Sequence, residues 1–331
     1  MNLASRARFW RRTAAALVVV TLAGACGGAT PSQTPSASPS KAAPSAAPSV
    51  ATKSIAPSIA PSPTPSAPLM PISVVAATSC DPSVVPGAAF PPADPVPSSK
   101  ATPFMLRVPI LEYHRVVPVA EAGNSLPGLT MPPEVFDAQM AALHKAGWHT
   151  ITLATLADDL TAETTPPART FVVTVDDGWW DSYDYVYPTL QKYGYVATFF
   201  VIAGRIGRPN FMGPSQIRVL LAGGNEIADH TVTHAVLTAA QPKALTYEID
   251  AAAATIAAVT GRWPETLAYP HGKADSRAIT AVAACKSMRM AVMEGNGGRE
   301  TWSGRFRVSR IQVGSKRPAA DLLAQVQREG R

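Results

Sequence analysis

Apolar and polar positions divide this chain into three regimes. Ala14 to Leu22 is an apolar run too short to span a bilayer, and it follows Arg6, Arg8, Arg11 and Arg12. From Gly27 to about Ala67 the chain is almost wholly Pro, Ser, Ala and Thr, with no apolar face at any period. From Met105 to Arg331 short β-branched and aromatic runs alternate with stretches whose apolar positions recur every three or four residues.

In that last regime Val108 to Tyr113 reads as a strand ending at His114, and Pro133 to Ala146 as an amphipathic helix carrying Phe136, Met140, Leu143 and Ala146, stopped at Gly147. Trp148 to Leu153 reads as a strand and Ala154 to Leu160 as a short helix. A strand begins at Phe171, a helix spans Asp181 to Tyr193, and Val196 to Ile202 is the next strand. Ser215 to Ala222 is a helix closed by Gly223 and Gly224, and Glu226 to Ala228 a short strand running into Asp229 and His230. An alanine-rich helix covers Pro242 to Thr260. Leu267 to Tyr269 is a strand, Asp275 opens a helix, and strands near Met290 to Met293 and from Arg307 to Val313 precede a last helix, Ala319 to Arg328. Strands alternating with helices imply parallel strands joined by right-handed crossovers, in one α/β domain over 105–331. Before it, Ile72 to Ala77 has the composition of a strand, Pro86 to Pro97 that of coil, and the stretch reads as a loosely attached flank.

Composition changes the picture at the N-terminal end. A basic start, a short apolar run and small residues before a cut site read as a secretory signal over 1–25. Ala23-Gly24-Ala25 suits ordinary cleavage, while Cys26 followed by Gly27 and Gly28 resembles the lipid-modified cysteine of bacterial lipoproteins; we read Cys26 as the lipidation site. The lipoprotein pattern prefers leucine three places before the cysteine, where Ala23 stands with Leu22 one step off. The expectation is an exported, membrane-anchored lipoprotein, with plain secretion as its alternative. The Pro/Ser/Ala-rich part of 26–104 cannot bury enough apolar surface to offset its ordering entropy, and reads as a disordered linker. Without the leader's four arginines, 25 basic residues face 23 acidic ones. No basic run interleaved with aromatics remains, which excludes a nucleic-acid partner. Cys80 and Cys285 form an even pair in an oxidising location, and sequence alone leaves open whether they join.

The chemistry gathers at strand ends. Phe171 to Val175 runs directly into Asp176, Asp177 and Gly178, and parallel α/β sheets bind ligands at that end of a strand. Adjacent carboxylates repel unless a cation or a shared proton intervenes; a turn with a helix cap is the plainer reading. His230 and His234, in DHTVTH, also follow a strand; on a helical turn their spacing would put both imidazoles on one face. Two imidazoles and a carboxylate with one open position are what a catalytic zinc site requires.

TVDDG at Thr174 to Gly178, EIADHTVTH at Glu226 to His234 and AYPHG at Ala268 to Gly272 resemble three ordered motifs of the polysaccharide deacetylases, the NodB-homology type or carbohydrate esterase family 4. The resemblance implies a distorted (β/α)7 barrel and a metal, Zn2+ or another divalent cation such as Co2+ or Ni2+, held by Asp177, His230 and His234. It makes Asp176 the general base and Tyr269 the residue whose backbone N–H meets the oxyanion. The form of the third motif resembles the subgroup acting on poly-N-acetylglucosamine. Many members carry an arginine before the third motif and a late histidine acid, and both are missing here. His114, in PILEYHRV, resembles an early Tyr-His pair that supplies the acid in that subgroup; a structural histidine is its plainer reading, and His271 is its rival. Arg310 either orients Asp176 in place of the missing arginine or makes a surface salt bridge. Trp179 and Trp180 are placed by their position beside the expected metal to stack on a sugar ring, and packing is the plainer reading of such aromatics. Asp229 reads as support for the turn at His230, and His144 and His149 as ordinary surface residues.

The expected function is removal of acetyl from N-acetylhexosamine units of a cell-surface polysaccharide by a monomer. The alternatives are an O-acetyl esterase on a glycan and a non-catalytic glycan-binding lipoprotein.

Overall fold

The computed structural model describes residues 70–94, 103–123 and 127–331. The leader, Cys26 and most of the linker lie outside the described residues. Among the described residues no helix is long and apolar enough to cross a membrane.

Seven parallel strands form the frame: β1 (Ile110–Tyr113), β2 (Thr170–Val175), β3 (Thr198–Val201), β4 (Glu226–Asp229), β5 (Thr266–Ala268), β6 (Met290–Gly295) and β7 (Val308–Gln312). Their order is β1-β7-β6-β5-β4-β3-β2, and β1 pairs with β2 from Ile110↔Val172 to Tyr113↔Val175, so the sheet closes into a barrel. Closure is tightest there and loosest between β4 and β5, which share the single register pair Asp229↔Leu267. A distorted (β/α)7 barrel is therefore what the alternating pattern builds.

Side chains alternate across each strand, so one set of positions points inward and the other toward the helices. Ile110, Val172, Phe200, Ala228, Ala268, Val292 and Val308, one from each strand, fill the interior in a single buried cluster. The outward set, including Leu111, Val173 and Phe199, packs on Phe136 and Met140 of helix α1 (Pro133–Lys145) and on residues of later helices. Helix α2 (Leu153–Ala162) takes another place. Leu153, Leu156 and Leu160 join the interior cluster, and α2 plugs the N-terminal mouth of the barrel. Its first backbone N–H groups end on β3 and β4, Leu153 on Thr198 Oγ1 and Ala154 on Glu226 Oε2. Thr198 and Thr266 also donate to the Glu226 carboxylate, whose pKa burial pushes up. Below its apolar layer the barrel is closed, so chemistry is confined to the opposite mouth.

Three expectations change. The strand read over Trp148 to Leu153 shrinks to His149–Thr150, paired to the start of β2 outside the ring, because Leu153 is already helical. Ile72 to Ala77 forms no strand; Val75 N–H instead donates to Thr255 Oγ1 on a neighbouring helix. Nor is the flank loose. It runs around the barrel as a strap, exchanging backbone hydrogen bonds between Ala89 and residues 261–263, stacking Phe90 edge-on to Trp263, and placing Asp94 2.7 Å from Arg289 Nε. Cys80 and Cys285 are joined by a disulfide that closes a separation of 205 residues.

Candidate active site

At the open mouth the inward positions turn polar: Glu112 on β1, Asp176 after β2, His230 after β4 and Arg310 on β7. Asp176 stays in strand phase, its N–H donating to Tyr113 O at 2.9 Å, so its carboxylate faces inward like Thr174. Simple alternation would send Asp177 outward to the helices. It does not, because Asp177 has φ +75° and Gly178 φ +76°, a left-handed turn that swings the second carboxylate back over the mouth. Gly178 is required on two counts: that φ, and a Cβ there would lie 3.1 Å from Val201 Cγ1.

His230 and His234 are not on a helix. The segment after β4 is an irregular loop in which Thr231 and His234 both have φ +66°. Side chains fold it: Asp229 Oδ1 accepts from Thr231 N–H at 2.6 Å, Thr231 Oγ1 accepts from His234 N–H at 3.0 Å, and Glu248 accepts from both N–H and Oγ1 of Thr233. Asp229 thus supports the turn. His230 Nδ1 lies 2.8 Å from Ala268 O; a carbonyl can only accept, so Nδ1 carries the proton and Nε2 presents its lone pair to the mouth. Burial and the neighbouring His230 push the His234 imidazole down to about 4 against the pull of Asp177, leaving it neutral near pH 7.

The carboxylate and imidazoles converge. Asp177 Oδ1 stands 3.6 Å from His230 Nε2 and 3.6 Å from His234 Nε2. Donors about 2.1 Å from a tetrahedral ion are about 3.4 Å apart, so this set of two nitrogens and one oxygen fits a divalent cation of the zinc type.

Arg310 is 1% exposed, which rules out a surface salt bridge. Its fork donates to both oxygens of Asp176 at 2.7 Å and to Thr174 Oγ1 at 3.0 Å, while its Nε lies 3.3 Å from Glu112 Oε2. Burial alone would raise the Asp176 pKa; the guanidinium outweighs it and holds the carboxyl well below the usual range. Glu112, His114 and Asp176 also lie close enough to hold an ion, but Arg310 already places a cation between the two carboxylates. His114 Nε2 is 3.8 Å from Glu112 Oε1 on the Asp176 side of the mouth, and His271 packs its ring 4.6 Å from that of His234 on the other. Glu112 was not singled out from sequence. A lone charge inside the apolar run of β1, in the same phase as Asp176 across the pair, was the available signal.

Two expected roles do not match the geometry. The Tyr269 N–H, expected at the oxyanion, donates to Val292 O at 3.0 Å, and its side chain is buried with the hydroxyl donating to Phe306 O. Both groups are used in holding β5 to its neighbours. Trp179, expected to stack on sugar, is itself packed: its ring stacks on Phe211 at 4.5 Å and carries the Arg115 guanidinium 4.6 Å from its centroid. Its Nε1 donates to Asp177 Oδ2 at 2.9 Å. His144 packs on Tyr193 at the surface, and His149 Nε2 meets Thr170 Oγ1.

Glu112, Asp176, Asp177, Arg310 and the four histidines His114, His230, His234 and His271 line a cleft of about 330 Å³ with Leu129, Lys273, Glu294 and Gln312 on its walls. Residues 163–289 match the sequence profile of the family described as Polysaccharide deacetylase. That stretch takes in Asp176, Asp177, His230, His234 and Tyr269 but neither His114 nor Arg310. The chain is 28% identical over 207 residues to YxkH of Bacillus subtilis (strain 168), a candidate polysaccharide deacetylase, covering 62% of this chain and 71% of that one. In fold it is similar to the Streptococcus pyogenes deacetylase PplD in complex with acetate, with TM-score 0.62 and 24% identity over 68% of this chain and 99% of that one. It is similar also to IcaB from Ammonifex degensii, with TM-score 0.58 and 21% identity over 66% and 97%. Those two likenesses concern the fold, while over residues 163–289, which carry the carboxylate and histidine motifs of the barrel mouth, the chain is similar to the polysaccharide deacetylase family.

Proposed function

We propose that this protein is a cation-dependent hydrolase that removes acetyl from the nitrogen of N-acetylhexosamine units in a cell-surface polysaccharide, an exopolysaccharide or wall glycan. The observation that carries the reading is a centre of three donors, Asp177, His230 and His234, with a separately anchored carboxylate, Asp176, 4.0 Å from one of them. A glycan binder has no use for that second carboxylate.

A divalent cation in the centre, Zn2+ or else Co2+ or Ni2+, would polarise the acetyl carbonyl and acidify the attacking water. Asp176, kept ionised and aimed by the Arg310 fork, accepts a proton from that water as the C–O bond forms. His114, beside Glu112 on the β1 side of the mouth, donates a proton to the sugar nitrogen as the C–N bond breaks, so acetate and a free amine leave. Leu129, Lys273, Glu294 and Gln312 are in place to meet the sugar around the reacting amide. The same proposal holds the protein at the cell surface as a monomer, anchored through lipid on Cys26, with the linker giving the domain reach to its polymer.

Acetate release from β-1,6- and β-1,4-linked N-acetylglucosamine oligomers, with and without chelator, tests the reading. Chelation should stop release, Asp176→Asn should stop it with cation still bound, and His230→Ala should lose both. Parental rates in Asp176→Asn would remove the base assignment, and faster turnover of an O-acetylated sugar at equal concentration would make the protein an esterase.

A further inference from the structure

We propose that Trp179 is a positioning residue for the cation centre: its indole N–H occupies one oxygen of Asp177 and leaves the other to the two histidines. The inference rests on the cation-binding reading of Asp177, His230 and His234, and assigns a role to a side chain that does not itself reach the centre.

The two oxygens of Asp177 have different surroundings. Oδ2 accepts from Trp179 Nε1 at 2.9 Å, whereas Oδ1 lies 3.6 Å from both imidazole Nε2 atoms. The last torsion of an aspartate is broad, and Asp177 sits on a left-handed turn with no strand neighbour to fix its plane, so without a partner either oxygen could face the histidines. A donor on Oδ2 breaks that symmetry. It favours one carboxylate oxygen in a set with two nitrogens, a low-coordination arrangement with an open position.

Indole suits the task because it donates and cannot accept, ligate or titrate. It is also clamped. Phe211 stacks on the ring with planes 23° apart, and the segment carrying Phe211 is bound to the turn by Met212 N–H donating to Gly178 O at 3.0 Å. Arg115 over the ring is held by Asp181 Oδ2 at 2.8 Å and Ala122 O at 3.1 Å, and Asp181 is fully buried. A buried ion pair thus fixes the guanidinium, which with Phe211 fixes the indole, which fixes the carboxylate.

Trp179→Phe keeps a ring for Phe211 and Arg115 and removes the N–H together with one ring of the indole. Zn2+ affinity of the chelator-stripped full chain, measured by competition with a chromophoric chelator, should fall about 10- to 100-fold. Melting of the stripped protein reads the packing cost of the smaller ring separately from the cation affinity. Zn2+ binding within twofold of the parent would overturn the proposal. If Asp177→Ala also bound Zn2+ like the parent, the cation centre itself would be wrong, which separates the two failures. The parent protein supplies a measurement independent of whether the variant folds: the Trp179 indole ¹H–¹⁵N signal should be protected from exchange and shift on Zn2+ addition. An indole proton exchanging as freely as that of a solvent-exposed tryptophan would overturn the proposal too.

Discussion

Replacing Arg310 by methionine tests the electrostatics of the barrel mouth without reference to turnover. The side chain is 1% exposed, and its removal takes away the guanidinium that bridges Asp176 and Glu112, themselves 2% and 4% exposed. Deleting one partner of such a buried pair typically costs about 3–5 kcal/mol. In a domain of this size that amounts to roughly 6–20 °C in melting temperature. The loss should depend on pH in a defined direction. In the parent the folded Asp176 pKa lies below its unfolded value, so its contribution is present at neutral pH and declines as pH falls through the acid range. Without the guanidinium, only the weaker pull of His230 and His114 opposes burial, so the folded pKa should rise above the unfolded one, a penalty at neutral pH that protonation relieves. The gap between parent and variant should therefore be widest at pH 7–8 and narrow toward pH 4, where protonation relieves the variant while the parent's share persists until pH falls through its depressed folded pKa. Urea unfolding of chelator-stripped protein, followed by far-ultraviolet circular dichroism at both pH values, measures it. A gap below about 1 kcal/mol, or one equal at the two pH values, would refute the argument that Arg310 neutralises these carboxylates.

Burial pushes the Glu300 carboxyl up to about 7 although Val108 N–H donates to it, so between its unfolded value and 7 the folded chain keeps a proton that the unfolded chain has released. Stability from this group falls as pH rises across that window, and Glu300→Gln should gain about 2–3 kcal/mol at pH 8 and nothing below pH 4.5, read as melting temperature against pH. For the anchor, fatty-acid labelling of the exported chain should vanish in Cys26→Ala; labelling that persists would place the lipid elsewhere, and an unlabelled parent would make the protein plainly secreted.

Much of the frame was legible because the barrel strands are short apolar runs with glycine, proline or a capping side chain at their ends. Asp275, accepting from Ala278 N–H, starts its helix where the sequence put it. The site was legible as a set of residues but not as geometry. Left-handed backbone at Asp177 and His234 brings the donors together, and nothing in period or propensity announces a positive φ at a non-glycine residue. Helical spacing singled out two histidines that the chain brings together by an irregular loop instead. Trp179 and Tyr269 were assigned by position beside the metal motifs, yet their partners, Phe211, Arg115 and Val292, come from distant parts of the chain. The strap was read as loose because its bonds run to side chains and loops rather than to a strand ladder, which leaves no alternation to detect.

The strap has a mechanical consequence. Tension applied to the chain ahead of Met70 would first peel the few contacts between Ile72 and Ala77, and then arrive at Cys80, where the covalent link hands the load to Cys285 at the end of the helix Ser276–Ala284. The strand Ile110–Tyr113, which bears Glu112, and His114 after it lie beyond that clip along the chain, so tension would reach the disulfide before it reached them.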